Sequence, residues 1–211
     1  MVKPCGLTCV LGLKGGVGKT SLVLALYHYF TEQGLDVGVL SNDRISRTMG
    51  NIVRDAFLRI TANADFPAVE TTDNLLFDFG GFPERRAHDL IGKAKNILLP
   101  TLGDSLSIEG CDESLRQIEP LALGARIAVI GNRVTDDELD LLKDLFDVPV
   151  FRLKNSAGVP NMFSSKKSLK QQIADRKVLR NLYSGIVGDV KTIGTWLGNS
   201  KEDDETEAQE E

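Results

Sequence analysis

The chain has 211 residues, of which 42% are hydrophobic and 26% charged, an ordinary balance for a soluble domain long enough to bury a core unaided. Three cysteines (Cys5, Cys9, Cys111) cannot build a disulfide framework, and no apolar run reaches the roughly 18 residues of a membrane span. These features argue against secreted, fibrous and integral-membrane readings. The net charge of −5 is unevenly placed: the stretch EDDETEAQEE at 202–211 holds seven acids and no base, leaving the rest of the chain at +2.

Short apolar runs alternate with helical patterns along the chain. A strand is predicted over 7–13, then a helix over 19–33 that is apolar on most sides and closes at Gly34. A second strand covers 35–40, a short one 68–70, and another 74–79 (NLLFDF). A helix over 84–94 leads to a strand over 96–99 ending at Pro100. A helix over 107–119 stops before Pro120, and a strand covers 126–130. A helix with an acidic start (136–145) and a strand (150–153) follow, then a long helix over 176–197. Its stripe of Leu179, Leu182, Tyr183, Ile186, Val190, Ile193 and Leu197 reads as core packing. Alternation of this kind predicts a doubly wound, mostly parallel α/β sheet with helices on both faces. The domain would span 1–199, with 200–211 an acidic, disordered tail.

The first strand runs into Leu13-Lys14-Gly15-Gly16-Val17-Gly18-Lys19-Thr20, and a helix follows. Glycines let the backbone curl so that successive N–H groups point at phosphate oxygens, and the new helix adds its positive end. Lys19 would put a point charge on the β and γ phosphates, the Thr20 hydroxyl would hold Mg²⁺, and Ser21 continues the phosphate-binding turn. Asp78, at the carboxyl end of an apolar strand, lies where open α/β sheets bind ligands.

KGGVGKT, with Lys14 directly before the glycines, resembles the deviant Walker A loop of the ParA/MinD family of P-loop ATPases. The body is closest to the small plasmid-partition (ParF-like) members, which lack an N-terminal DNA-binding domain. The resemblance implies ATP and Mg²⁺ as ligands and weak ATP hydrolysis without a partner. It also implies an ATP-dependent homodimer, in which Lys14 crosses to the partner subunit's nucleotide. Where the family has D-x-D-P-Q, this chain has Ser41-Asn42-Asp43-Arg44-Ile45, keeping only the aspartate that orients the attacking water. Asp78 in LLFDFGG takes the Walker B place and would hold Mg²⁺, although the family more often has Ser or Thr and Pro after the aspartate, where this chain has Phe79-Gly80-Gly81. Asn132-Arg133 resembles the family's N-[RK] pair, whose asparagine reads adenine.

The segment 164–181 carries Lys166, Lys167, Lys170, Arg176, Lys177 and Arg180 against one acid, Asp175. Members of this kind bind DNA nonspecifically through such residues, and phosphate contacts carry no sequence information. The implied partners are a second copy in the ATP state, nonspecific DNA and a small centromere-binding type of adaptor protein, in the cytoplasm or on the nucleoid, with no membrane. An acidic terminus lacks the basic amphipathic helix of MinD-type proteins and would be repelled by anionic lipid. It reads either as a solubilising tail or as a screen over a basic surface. The rival readings are an accessory ATPase for conjugative transfer or protein cargo, and a small-molecule kinase or ligase on the same scaffold. Cys9 reads as a core thiol, and His28 and His88 are isolated, without partners for a metal.

Overall fold

In a computed structural model, which describes residues 5–43, 47–61, 64, 66–69, 74–81 and 85–199, the apolar runs form one sheet. Its strands are β1 (Leu7–Val10), β2 (Gly38–Ser41), β3 (Phe57–Arg59), β4 (Leu75–Asp78), β5 (Asn96–Thr101), β6 (Arg126–Asn132) and β7 (Val150–Leu153). They lie in the order β3-β2-β4-β1-β5-β6-β7, and every pairing is parallel. Eight helices connect them among the described residues: α1 (Lys19–Glu32), α2 (Arg47–Val53), α3 (His88–Lys93), α4 (Ser105–Ile118), α5 (Asp136–Leu145), α6 (Gly158–Ser165), α7 (Leu169–Asp175) and α8 (Leu179–Gly198).

Parallel strands buried on both faces need two cores. One joins α1, α2, α6, α7 and α8 to the sheet through residues such as Leu22, Leu24, Phe30, Met162, Tyr183 and Ile193. The other joins α3, α4 and α5 through Leu7, Phe77, Phe79, Ile91, Ile118 and Leu142. Side-chain alternation along β1 divides them, sending Leu7 and Cys9 to one core and Val10 to the other. All three cysteines are buried thiols, their pKa values pushed up to about 12 mainly by burial, which disfavours the thiolate.

The differences from the predicted elements have local causes. β3 was not anticipated, and 68–69 form no strand; Glu70 lies outside the described residues. Phe57–Arg59 is a sheet edge with Leu58 half exposed, so it carries no buried alternation to read. β5 runs through Pro100 to Thr101. The last rung toward β1 is Leu11 N–H donating to Leu98 O at 3.1 Å, and alternation turns the Pro100 nitrogen to that same side, past the end of β1, where no ladder bond is lost. α8 begins at Leu179, and Leu182 leaves the predicted stripe at 65% exposed. Residues 179, 183, 186, 190, 193 and 197 step by four and three, whereas Leu182 sits one position off that seam. The predicted tail at 200–211 lies outside the described residues, as do Arg44, Ile45 and Ser46.

Candidate functional site

The site forms where β1, β2, β4 and β6 end together at the carboxyl edge of the sheet. β1 is central, with β4 on one side and β5 on the other, so the chain leaving it enters the crevice where strand order reverses. Gly16 (φ 78°) and Gly18 (φ 98°) take left-handed backbone conformations, which curl residues 12–19 into a loop. Gly18 is also the N-cap of α1, with no side-chain cap and no acid in the first turn. The free N–H groups of Lys19, Thr20 and Ser21 therefore open toward the loop. A Cβ at Gly18 would meet Asn132 Nδ2 at 2.2 Å, so only glycine fits there.

Lys19 is buried, and its Nζ donates to the carbonyls of Gly12 (3.2 Å) and Lys14 (3.0 Å), spanning the loop. Burial pushes its pKa down, against the pull of Asp78 and then Asp43. Thr20 Oγ1 donates to Asp78 Oδ2 at 2.9 Å. Asp78 is completely buried, and its other oxygen, Oδ1, has no hydrogen-bond partner. Burial foremost, with Asp43 nearby, raises the Asp78 carboxyl to about 6, opposed by Thr20, Lys19 and Ser41. A hydroxyl beside a carboxylate with an unused buried oxygen is a hard-oxygen pair of the kind Mg²⁺ takes, so these residues fit the ion.

Parallel register places Ser41 of β2 directly beside Asp78 of β4. A carboxylate at 41 would add a third negative charge to Asp43 and Asp78; the hydroxyl instead steadies Asp78. Asn42 Oδ1 accepts from Gly80 N–H at 2.8 Å, and the Asp43 N–H donates to Ser41 Oγ at 3.2 Å. A Cβ at Gly80 would lie 2.7 Å from Asp43 Cα. Gly80, two residues after Asp78, is thus what lets Asp43 approach the site.

Lys14 does not point into open solvent. Its Nζ bonds Asp104 Oδ1 at 2.7 Å and Ser107 Oγ at 2.8 Å. Asp104 caps α4 by accepting from Ser107 N–H, and Lys14 with Ser107 holds its carboxyl down at about 2. Leu13 N–H donates to Ser114 Oγ at 3.0 Å, so α4 pins the loop twice. Asp104, Ser107 and Ser114 were not among the predicted site residues; the D-x-x-S start of a helix was the signal for the first two. Asn132 is buried at the end of β6 and its Nδ2 donates to Val17 O at 2.8 Å, so its amide braces the phosphate loop. Arg133, beside it, is exposed and left-handed (φ 61°), a backbone state uncommon for a non-glycine residue.

The six predicted DNA-contacting residues lie apart from this crevice and do not share one helix. Lys166 ends α6, Lys167 follows it, Lys170 lies on α7, and Arg176, Lys177 and Arg180 occupy the turn into α8 and its start. All six are exposed. Lys167 pairs with Asp175 at 2.5 Å and Lys170 with Glu32 at 3.3 Å. Among the described residues the other four have no ion-pair partner.

No protein-family model matches the chain, and no curated protein matches it in sequence. Solved structures do match its fold. The MinC:MinD cell division protein complex of Aquifex aeolicus aligns with a TM-score of 0.66 at 13% identity, covering 92% of this chain and 97% of that one. The septum site-determining protein MinD of Pyrococcus horikoshii OT3, complexed with Mg-ADP, aligns at 0.64 with 14% identity, covering 90% and 94%. A protein described as a plasmid partition protein of Borrelia burgdorferi B31, bound to AMPPNP, aligns at 0.59 with 11% identity, covering 80% and 95%. The chain therefore has the doubly wound fold of the ParA/MinD-type P-loop ATPases. At these identities the likeness is one of fold, and the site residues above are this chain's own. Among the described residues no helix is long and apolar enough to cross a membrane, and no group of three His, Cys, Asp or Glu side chains could hold a metal.

Proposed function

We propose that this protein is an ATP-dependent dimerisation switch of the ParA/MinD type, acting in partition or positioning. The observation that carries the reading is the convergence of Lys19, the Thr20–Asp78 pair with its unused oxygen, and Lys14 around one glycine loop. The uncapped start of α1 and the loop N–H groups bind the triphosphate, and Lys19 leaves its loop carbonyls for the β and γ oxygens. Thr20 and Asp78 would hold Mg²⁺, which when bound supplies positive charge to the same phosphates. Asp43 orients the attacking water, with Gly80 giving it room. Val17 and Gly18, braced by Asn132, keep the loop in shape, and Arg133 flanks the nucleotide.

In the ATP state Lys14 leaves Asp104 and reaches the nucleotide of a second copy. Its present pair is one-third exposed at Lys14 and about half exposed at Asp104, and an ion pair that open to water contributes little to stability. A triphosphate is the stronger attractor, so the exchange is downhill once two subunits meet. The exposed cations of α6 to α8 bind DNA through its phosphates, and a small DNA-binding adaptor stimulates hydrolysis.

The test combines ATP-induced dimerisation with DNA binding. Light scattering on the wild type with ATP and Mg²⁺ should give a dimer, and DNA anisotropy should show ATP-dependent binding that weakens steeply between low and moderate salt. Lys14→Ala should bind ATP with near-normal affinity and remain monomeric. A dimer in that variant would remove the trans lysine from the mechanism, and turnover of ATP with a small acceptor but no DNA would favour a kinase or ligase.

A further inference from the structure

Two pairs of exposed apolar side chains stand one helical turn apart on helices from opposite faces of the sheet. Leu141 (48% exposed) and Leu145 (54%) lie on α5, and Val178 (81%) and Leu182 (65%) at the start of α8. α5 packs into the core that holds Leu142, and α8 into the one that holds Tyr183 and Ile186, so the two pairs cannot meet within one chain. Their surroundings carry opposite charge: residues 136–147 hold six acids against Lys143, and residues 166–180 hold six bases against Asp175. Helical spacing puts Asp137 and Asp144 on the exposed side of α5 with Leu141. On the other half Lys177 precedes Val178, and Lys154 lies across Gly185, one turn on from Leu182; a Cβ at Gly185 would be 3.1 Å from Lys154 Cδ. Asp136, Glu138 and Asp140 are already engaged, by Arg152, the α5 capping box and Lys143. Asp137, Asp144, Lys154 and Lys177 have no ion-pair partner among the described residues.

We propose that the α5 face of one copy docks on the α8 face of a second copy. Leu141 and Leu145 pack against Val178 and Leu182, and Asp137 and Asp144 are set against Lys154 and Lys177. Single exposed leucines are ordinary on a protein surface. An apolar pair rimmed by one sign of charge, matched by an apolar pair rimmed by the other, is the pattern of two complementary halves. Two α5 faces, or two α8 faces, would repel each other, so the contact is not isologous. Because the halves lie on opposite faces of the sheet, one neighbour cannot satisfy both, and the contact repeats head to tail. Two apolar side chains a side make a small interface of the weak, transient class. The contact leaves out the phosphate loop and Lys14, so it needs no ATP and does not rest on the nucleotide-dependent dimer proposed above.

Sedimentation velocity on the full chain without nucleotide tests it. At about 0.1 M salt the wild type should show a sedimentation coefficient that climbs with concentration past that of a dimer, and at about 1 M salt, where charges are screened within about 3 Å, it should fall back toward the monomer. A variant with Asp137→Asn, Leu141→Gln and Asp144→Asn removes one half of the contact, and a variant with Lys154→Gln, Lys177→Gln and Leu182→Gln removes the other. All six positions are exposed, so both variants should keep the wild-type melting curve. Each alone should stay monomeric. Mixed in equal amounts they should form a one-to-one dimer and stop there, because one intact pair of faces remains between them. A wild type that is monomeric at every concentration would overturn the proposal, as would self-association of either variant or the lack of a dimer in the mixture. Lys14→Ala should associate as the wild type does; loss of association in that variant would move the contact to the nucleotide crevice and overturn the assignment to α5 and α8.

Discussion

The two ends of the parallel sheet use buried polar groups in opposite ways. At the amino end, Asn96 Nδ2 donates to Cys5 O at 2.9 Å and Leu197 O at 3.2 Å. Arg126 donates to Trp196 O at 2.6 Å and Asn199 O at 3.0 Å, and its guanidinium lies 4.0 Å over the Trp196 ring. These groups occupy the last carbonyls of α8 and lock that helix onto β5 and β6. At the carboxyl end, Asp78 keeps a buried oxygen unbonded, Lys19 holds only loop carbonyls, and the first turn of α1 has no cap. One end commits its donors to the fold, with Asn96 Oδ1 the one acceptor of this pair left without a partner. The other withholds its polar groups at some cost in stability, as a site for a charged ligand does.

The largest effect expected of this contrast is at Lys19. Lys19→Ala should weaken ATP binding by at least about 100-fold, the loss of charge-assisted hydrogen bonds to phosphate, and leave the fold intact. Calorimetric titration beside a melting curve would check it, and near-normal affinity would break the assignment of this end as the ligand site. At the opposite end Arg126→Ala should cost about 2–4 kcal/mol in denaturant unfolding, through two lost carbonyl bonds and the lost ring contact, with ATP affinity unchanged. If that variant lost ATP binding while still folded, the ends would not be separable.

The smallest effect, and the sharpest, is at Asp78. Because burial raises its pKa to about 6 from 3.8, the folded chain holds this proton more tightly than the unfolded chain does. Its favourable contribution is complete below about pH 4 and is lost as pH rises through about 6. Above that the ionised carboxylate costs a few kcal/mol at most. Asp78→Asn should therefore raise the melting temperature at pH 7.5 and change it little at pH 4, while abolishing the Mg²⁺ dependence of nucleotide binding. Wild-type Mg²⁺-nucleotide affinity should fall as pH drops below about 6, when a proton competes for the same oxygen. A variant less stable than wild type at pH 7.5 would show that Asp78 belongs with the structural groups.

The glycine loop, Lys19, Thr20 and Asp78 were legible in the chain because each sits at a fixed offset from an apolar strand or the start of a helix. The brace around them was not. Asp104 and Ser107 are about ninety residues from Lys14, and Asn132 is 115 residues from Val17. Only strand order brings those loops together. β3 was missed because a half-exposed edge strand carries little hydrophobic periodicity, whereas α2 was missed although Met49, Ile52 and Val53 step at helical spacing and pack into the first core.

What the sequence determined by itself was local: which segments alternate, where the phosphate loop turns, and which residues carry charge, because backbone preference and hydrophobic period act over a few neighbours. The partner of Lys14, the oxygen left free on Asp78, the clearance Gly80 gives Asp43 and the pairing of two of six surface cations were decided by tertiary structure alone. Each depends on groups from distant segments being brought within a few ångströms by the packing of helices on both faces of a single sheet.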